Sequence, residues 1–242
     1  MTIVMSHLRA PCDEKRVKQS NAAAQPCPDC PAKLGGVLAP MLPQDNVACS
    51  FRCERVEARA PLPEAWFDTY GMALVRRGFV VRHRVDAKGR SVAVDVAGPG
   101  SLVPMAPVAE GGDRTPRAFA VTEALLCLCP HSEEMRWCNG LGDELLHLHR
   151  RTLDRVERLA EARGRKTLLA RVGTLLCTLA DTLHPRPKAH VPSGLPQRTL
   201  SQLIDVRHES MCRALKQLQK KGWVTRDIHG IWIMHRSALE AL

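Results

Sequence analysis

The sequence lacks several features that mark common protein classes. No apolar run approaches the ~20 residues that a membrane-spanning helix needs, so no membrane segment is expected. The opening stretch MTIVMSHLRAPCDEKRVKQ soon becomes charged and has no apolar core of a secretory signal, which predicts a cytoplasmic location. The motifs His-Glu-x-x-His and Gly-x-Ser-x-Gly and a Gly-rich phosphate-binding loop are all missing. These absences predict that the protein is not an enzyme.

The amino-acid composition is typical of a folded globular protein, with an excess of basic residues. Of the 242 residues, 45% are hydrophobic and 25% are charged, a balance that argues against wholesale disorder. The formal net charge is +10, and residues 186–242 account for +6 of it, with ten Lys/Arg against four Asp/Glu. A basic excess concentrated in one segment favours a polyanionic partner there.

Residues 1–60 show no sustained helical or alternating pattern. They carry six prolines and five of the ten cysteines of the chain. We expect a loop-rich arm that needs a partner or a metal to become ordered.

Residues 61–140 have the pattern of a small antiparallel β domain. Short runs rich in valine, leucine and alanine are separated by turn signals such as Gly78. The stretch VVRHRVDAKGRSVAVDV predicts a hairpin around DAKG, with valines on one face and Arg82 and Arg84 on the other.

Residues 141–183 are predicted to form two helices. The first has an apolar stripe at three- and four-residue steps, which either packs on its own domain or pairs with a second copy in a dimer. We place Arg155 on its charged, solvated face, and we expect Gly164 to end it. The second helix, KTLLARVGTLLCTLADTL, is apolar on more than one side and should be buried. The stripe consists of Leu141, Leu145, Leu148, Thr152, Val156 and Leu159.

Residues 184–242 predict a linker, a helix, a tight turn, a second helix and a β-hairpin, in the order of a winged helix-turn-helix. In the second helix, RHESMCRALKQLQKKG, Met211, Leu215 and Leu218 share one face and should dock the helix on the core. The opposite side is polar and basic. As an isolated pattern this is equally typical of a solvated amphipathic helix, but the following hairpin and the regional charge favour double-stranded DNA as partner.

Within this helix, residues near the N-terminus are placed to read base edges in the major groove. Arg213 can donate two hydrogen bonds to guanine, and Glu209 can accept from cytosine. Lys216, Lys220 and Lys221, further along, suit phosphate contacts. The full set of candidate DNA-binding residues is His208, Glu209, Ser210, Cys212, Arg213, Lys216 and Lys220.

Residues 195–235 resemble the DNA-binding domain of the cAMP receptor protein/fumarate-nitrate reduction regulator (Crp/Fnr) family. The recognition helix of that family begins Arg/Val-Glu-Thr-x-Gly/Ser-Arg, and here it reads His208-Glu209-Ser210-Met211-Cys212-Arg213. The turn residue, usually glycine, is Asp205, which tolerates a left-handed backbone better than most residues. Upstream, residues 71–130 resemble the middle and end of the β-roll sensor domain of the family, without its early Gly-x-x-Leu-Phe-x-x-Gly-Asp turn. Residues 141–163 occupy the place of its dimerisation helix.

This resemblance implies an α+β fold with an abridged antiparallel β-roll, a long dimerisation helix and a C-terminal winged helix-turn-helix. It implies a homodimeric, sequence-specific transcription regulator, with RNA polymerase as a further partner. Cyclic AMP is not expected as a ligand, because Pro104-Met105-Ala106 stands where the ribose-binding glutamate of the family would be. Only Arg114-Thr115 imitates part of that site.

The cysteines leave three hypotheses open. The oxygen-sensing branch of the family holds a [4Fe–4S] cluster, and the resemblance implies a cluster on Cys27, Cys30, Cys127 and one of Cys49 or Cys53, of which we choose Cys53. The third N-terminal cysteine of the branch would fall at Gly36, where it is missing. The first alternative is a zinc site on Cys27, Cys30, Cys49 and Cys53. The second is a degenerate sensor with no metal, whose cysteines are a thiol switch or unliganded.

Overall fold

A computed structural model describes residues 52–85, 91–105, 117–183 and 189–242. Within these ranges, no helix is both long enough and apolar enough to span a membrane. The N-terminal cysteines Cys27, Cys30 and Cys49, together with Arg114, lie outside the described residues. The chain folds into a β domain, two packed helices and a C-terminal unit.

Seven strands and a short helix form the β domain. They are β1 (Arg52–Val56), α1 (Ala65–Thr69), β2 (Tyr70–Arg77), β3 (Val80–Val85), β4 (Ser91–Ala97), β5 (Leu102–Pro104), β6 (Arg117–Ala120) and β7 (Ala124–Pro130). The strands make two antiparallel sheets, one in the order β1-β7-β2-β5 and the other in the order β4-β3-β6. The predicted α+β class is confirmed, and so is the antiparallel pairing of the predicted hairpin, which joins β3 to β4. The predicted turn DAKG lies outside the described residues.

Strand β1 corrects the prediction that residues 1–60 are loop-rich throughout. Its five residues pair antiparallel with β7, with Arg52 opposite Leu128 and Val56 opposite Ala124. The stretch RCERV has only one fully apolar residue, so its own pattern is weak. Its extended form comes from pairing with a strand about seventy residues later in the sequence.

Two helices follow β7 directly: α2 (His131–Gly164) and α3 (Leu168–Leu183). Helix α2 begins ten residues before the predicted start at Leu141, so the boundary between the β domain and the helices lies at Pro130 rather than at residue 140. The added stretch HSEEMRWCNG has no clear apolar stripe in its sequence, so its own pattern does not predict a helix. The predicted end at Gly164 is confirmed, as is the burial of most of α3.

The C-terminal unit consists of β8 (His190–Pro192), α4 (Gln197–Leu203), α5 (His208–Lys220), β9 (Val224–Asp227), β10 (Gly230–Ile233) and α6 (Arg236–Glu240). The predicted winged helix-turn-helix is confirmed. The strand β8 was not predicted, because a three-residue segment among prolines is typical of a linker. It pairs with β10 and gives the wing a third strand, in the order β8-β10-β9.

Two apolar clusters hold these parts together. One lies between the two sheets of the β domain and includes Leu126, Leu128 and Met105, all fully buried. The other is continuous from the β3–β4 hairpin through α2 and α3 into α4 and α5. One apolar core therefore joins the hairpin, the two long helices and the winged unit.

Candidate functional site

Helix α5 presents the predicted split between a buried and an exposed face. Met211, Ala214, Leu215 and Leu218 are buried against the core and anchor the helix. The turn before α5 depends on Asp205, whose φ of 52° puts it in the left-handed region, as the sequence predicted. The exposed side chains are those of His208, Glu209, Arg213, Lys216, Gln217, Gln219 and Lys220.

The N-terminal half of α5 is tied to its neighbours by polar contacts. Cys212 Sγ lies 2.9 Å from the Gln197 side-chain amide at the start of α4, and 3.6 Å from His208 Nε2. Since a guanidinium can only donate, the amide oxygen of Gln197 is oriented towards Arg226 and accepts from its Nη1 and Nη2 at 2.8 and 2.6 Å. One amide therefore connects the two helices and the wing. Ser210 and Cys212 are half-buried, unlike the other candidate DNA-binding residues.

The tip of the wing is held by Asp227. Its carboxylate accepts hydrogen bonds from the backbone N–H of His229 at 2.8 Å, that of Gly230 at 3.1 Å and Trp232 Nε1 at 2.8 Å. The bond from Trp232 is the main cause of a lowered pKa of the Asp227 carboxyl. At the other end of β9, Lys221 Nζ sits 4.4 Å above the ring of Trp223. The sequence suggested Lys221 for a phosphate contact, whereas here it covers an aromatic ring.

The structure brings two of the four predicted cluster ligands together. Cys53 on β1 and Cys127 on β7 are 74 residues apart in sequence, yet they are directly opposite each other in the strand register. Their sulfurs are 3.2 Å apart. Cys53 is half-buried, and Cys127 is buried with 7% of its surface exposed.

Arg76 lies beside this pair. It comes from β2, on the other side of β7, at a point where the β2–β7 register shifts between Val75 and Arg77. Its Nη1 donates to Cys53 Sγ at 3.5 Å. The hydrogen bond with Cys127, aided by Arg76 and opposed by burial, lowers the pKa of the Cys53 thiol to about 6. A thiol of this kind is a better metal ligand and nucleophile than an ordinary cysteine.

The other described cysteines do not join this pair. Cys129 is fully buried further along β7, and its Sγ is 3.7 Å from the carbonyl oxygen of Pro130. Cys177 lies in α3, where burial raises the pKa of its thiol to about 11, as expected for an unreactive core cysteine. Cys138 lies in α2, in a stretch whose side chains are not described.

Among the described residues there is no group of three or more side chains suited to hold a metal. Cys53 and Cys127 nevertheless fit as half of a thiolate set. Two sulfurs on one tetrahedral zinc ion, with Zn–S of about 2.3 Å, stand roughly 3.8 Å apart, so small side-chain rotations would admit an ion. The donor chemistry equally suits an iron–sulfur cluster. Met105, at the predicted position of the missing ribose ligand, is buried in the apolar core of the β domain.

A buried ion pair beside the hairpin escaped the sequence prediction. Arg155 was expected on the solvated face of α2, and that expectation is wrong. Its side chain is 2% exposed and donates to the fully buried Asp95 on β4, with Nε to Oδ1 at 2.6 Å and Nη2 to Oδ2 at 3.1 Å. Arg82 adds a third bond to Asp95 at 3.2 Å. The signal in the sequence was a lone carboxylate inside the apolar strand SVAVDVA.

A second arginine of α2 bridges three elements. Arg163 donates from Nε to the carbonyl of Leu203 at the end of α4, at 2.8 Å, and from Nη2 to the carbonyl of Ala93 on β4, at 2.5 Å. It thus links the β domain, the long helix and the winged unit through two backbone groups.

Comparison with known proteins places the C-terminal unit. Residues 170–242 match the model of the Crp-like helix-turn-helix domain family, so this segment is a domain of that kind. No curated protein matches the sequence.

Solved structures match over most of the chain. FixK2 from Bradyrhizobium japonicum is 18% identical, with 80% of this chain and 98% of that chain covered and a TM-score of 0.63. A CooA variant from Carboxydothermus hydrogenoformans is 14% identical, with 79% and 87% covered and a TM-score of 0.60. A CRP-family transcriptional regulator from Thermus thermophilus is 20% identical, with 78% and 95% covered and a TM-score of 0.55. At these identities the likeness shows a shared fold, in which a β domain precedes the winged helix-turn-helix.

Proposed function

We propose that the protein is a sequence-specific DNA-binding transcription regulator of the Crp/Fnr type. The observation that carries this proposal is the exposed polar and basic face of α5, set on a Crp-like winged helix-turn-helix. The buried face of the same helix is apolar, so α5 is fixed to the core with its other face free for a partner. The protein acts by binding, with RNA polymerase as the partner of the DNA-bound form.

In this proposal α5 enters the major groove with its N-terminal end towards the bases. Glu209 and Arg213 lie on successive turns of the exposed face and read base edges. His208, Ser210 and Cys212 line the same end. Lys216 and Lys220 follow on the exposed face, where they neutralise phosphates.

The proposed regulator is a homodimer paired through α2. The predicted apolar stripe is used inside the chain, since Leu148, Thr152 and Leu159 are buried. A different pair of leucines remains exposed, Leu146 at 47% and Leu153 at 57%. These two leucines are seven residues apart. Together with other residues they form a stripe with alternating steps of three and four, the spacing of a heptad repeat: Leu146, His149, Leu153, the half-buried Val156 and Ala160. This outer stripe suits pairing with a second copy of α2.

As a finer proposal, the sensor holds a [4Fe–4S] cluster on Cys27, Cys30, Cys53 and Cys127. The support for this proposal is that the sulfurs of Cys53 and Cys127 are 3.2 Å apart, since two ligands of one cluster must lie close to each other. When bound, such a cluster supplies a redox-sensitive group. Anaerobically purified protein would then contain iron and acid-labile sulfide and absorb visible light. Zinc alone would support the alternative set with Cys49, and no metal would support a degenerate sensor.

The main proposal is tested by selecting duplexes from a random pool with the full-length protein. We expect enrichment of a two-fold-related site whose half-sites are centred about one helical turn, ~34–36 Å, apart. Binding to random duplexes with no enriched sequence, or no binding, would overturn it. The metal measurement is independent of this result, so the two proposals can fail separately.

A further inference from the structure

The register of β1 against β7 fixes two thiols opposite each other. Val56 on β1 and Leu126 and Leu128 on β7 are buried in the core of the β domain. A slip of β1 by one residue would turn Val56 out of that core, which favours the register that pairs Cys53 with Cys127. The closeness of the two sulfurs is therefore a property of the sheet and does not need a metal.

The geometry suits a covalent bond between the two sulfurs. Opposite residues of antiparallel strands have Cα atoms roughly 4.5–5.5 Å apart, within the range of about 4.4–6.8 Å that disulfides span. The sulfurs, at 3.2 Å, must close to the roughly 2.0 Å of an S–S bond, which side-chain rotation can supply.

The surroundings distinguish the two thiols. Strand β1 is at the edge of its sheet, and Cys53 is half-buried there, whereas Cys127 lies on the neighbouring inner strand with 7% exposed. Arg76 donates to the Cys53 sulfur rather than to the inner one. A small oxidant thus reaches Cys53 first, with a guanidinium beside the reacting atom and the second thiol behind it.

We propose that Cys53 and Cys127 form a reversible cross-strand disulfide with a hydroperoxide as the oxidant. The Cys53 sulfur attacks the O–O bond of the hydroperoxide: an S–O bond forms, the O–O bond breaks, and the alcohol or water leaves with the thiol proton. The Cys127 sulfur then attacks the sulfur of the resulting sulfenic acid. An S–S bond forms, the S–O bond breaks, and the hydroxyl leaves as water with the second proton. Two electrons pass from the thiols to the peroxide oxygens.

The disulfide is reversible and excludes metal binding. A reduced dithiol reverses it by two thiol–disulfide exchanges, in which the dithiol is itself oxidised. The oxidised pair has no thiolate to offer, so the disulfide and any metal that uses these residues are mutually exclusive. The bond would also tie the edge strand β1 to β7, whose last residue, Pro130, directly precedes α2. This inference depends neither on DNA binding nor on a cluster.

The test uses the full-length, reduced protein after its metal content has been measured and removed by chelation. It is treated with about one equivalent of hydrogen peroxide, alkylated, digested and mapped by mass spectrometry without reduction. We expect a peptide pair cross-linked through Cys53 and Cys127 as the main product, and its loss after treatment with dithiothreitol. Cross-links from Cys53 mainly to another cysteine, or overoxidised Cys53 with Cys127 still alkylated, would overturn the proposal.

Three variants sharpen this test. Cys127→Ser should leave Cys53 to accumulate as sulfenic acid, trapped by dimedone, with no intramolecular disulfide at that site. Cys177→Ser, which removes a buried cysteine of α3, is the matched control and should form the disulfide at the parental rate. Arg76→Met should slow disulfide formation severalfold without changing the product. If Arg76→Met forms the disulfide at the rate of the parent protein, Arg76 has no role in the reaction. The peptide map of the parent protein tests the disulfide itself, even if a variant misfolds.

Discussion

Arg155 and Asp95 form a buried two-bond ion pair between α2 and β4, across 60 residues of sequence. Both side chains are almost fully buried, so the pair is shielded from water and salt. It joins the hairpin of the β domain to the helix that leads towards the winged unit. Burying two charges is costly, and only a complete set of hydrogen bonds offsets that cost.

Removing one partner should therefore destabilise the fold strongly. Among the described residues, Arg155→Met leaves Asp95 with Arg82 as its remaining cation, which is 3.2 Å away and less buried. We expect a loss of about 3 kcal/mol in the free energy of unfolding, the lower end of the range for breaking a buried pair. Urea unfolding followed by circular dichroism measures it. The double variant Arg155→Met/Asp95→Leu should recover part of the loss, and an equal or larger loss in the double variant would contradict the explanation.

The ion pair of Arg155 and Asp95 also makes the free energy of unfolding depend on pH. Burial alone would raise the pKa of the Asp95 carboxyl, but the charges and hydrogen bonds of Arg155 and Arg82 outweigh it and hold the pKa below its usual range. A carboxyl with a folded pKa below its unfolded value stabilises the protein above the unfolded pKa of about 3.9. That contribution is lost as pH falls through the folded pKa. Unfolding free energies from pH 7 down to pH 3 should fall less steeply in Asp95→Asn than in the parent, and parallel curves would contradict this.

The two ends of α5 should differ in their effect on DNA binding. Arg213→Ala should cost about 1–3 kcal/mol on the selected site and little on random DNA, because a base contact is lost. Lys220→Ala should weaken binding to the selected site and to random DNA equally. It should also lower the slope of log affinity against log salt concentration by about one, the contribution of one phosphate contact. Gel-shift titrations on both duplexes at two salt concentrations measure this. Arg165→Ala, an exposed arginine outside the winged unit, is the control and should change neither. Equal losses in both variants on both duplexes would contradict the assignment.

The elements that the sequence predicted well depend on local patterns. The spacing of Met211, Leu215 and Leu218 defined α5, and the family resemblance identified Asp205 as the turn residue, whose type tolerates a left-handed backbone. Each of these features is decided by residues within a few positions in the chain, so a single sequence contains them.

The features that the sequence missed depend on partners far away in the chain. The sequence around Arg155 contains no sign of its partner Asp95, which lies 60 residues earlier. Arg155 was therefore predicted to face solvent, as charged residues on helices usually do. Strand β1 is extended because β7 is there to pair with it. The family resemblance predicted that Cys53 and Cys127 belong to one site. The 3.2 Å distance between their sulfurs, however, follows from the strand register, which the sequence does not show.

The outer stripe of α2 gives a test of the proposed dimer. Leu153 is 57% exposed although it is a large apolar residue, and covering it in both copies would contribute about 1.5–3 kcal/mol per side chain. Leu153→Asp should therefore raise the dimer dissociation constant by roughly 100-fold or more, at 1.4 kcal/mol for each factor of ten. Analytical ultracentrifugation over a concentration series measures this.

The matched control for that change is Ile228→Asp. Ile228 is 85% exposed at the turn between β9 and β10, so this variant also exchanges an exposed apolar side chain for a carboxylate, but on the wing instead of on α2. It should sediment like the parent. Because a monomer can contact only one half-site, Leu153→Asp should also bind a single half-site as tightly as the parent while losing its preference for the two-fold site. An unchanged dimer in Leu153→Asp would show that the stripe of Leu146 and Leu153 is not the dimer interface.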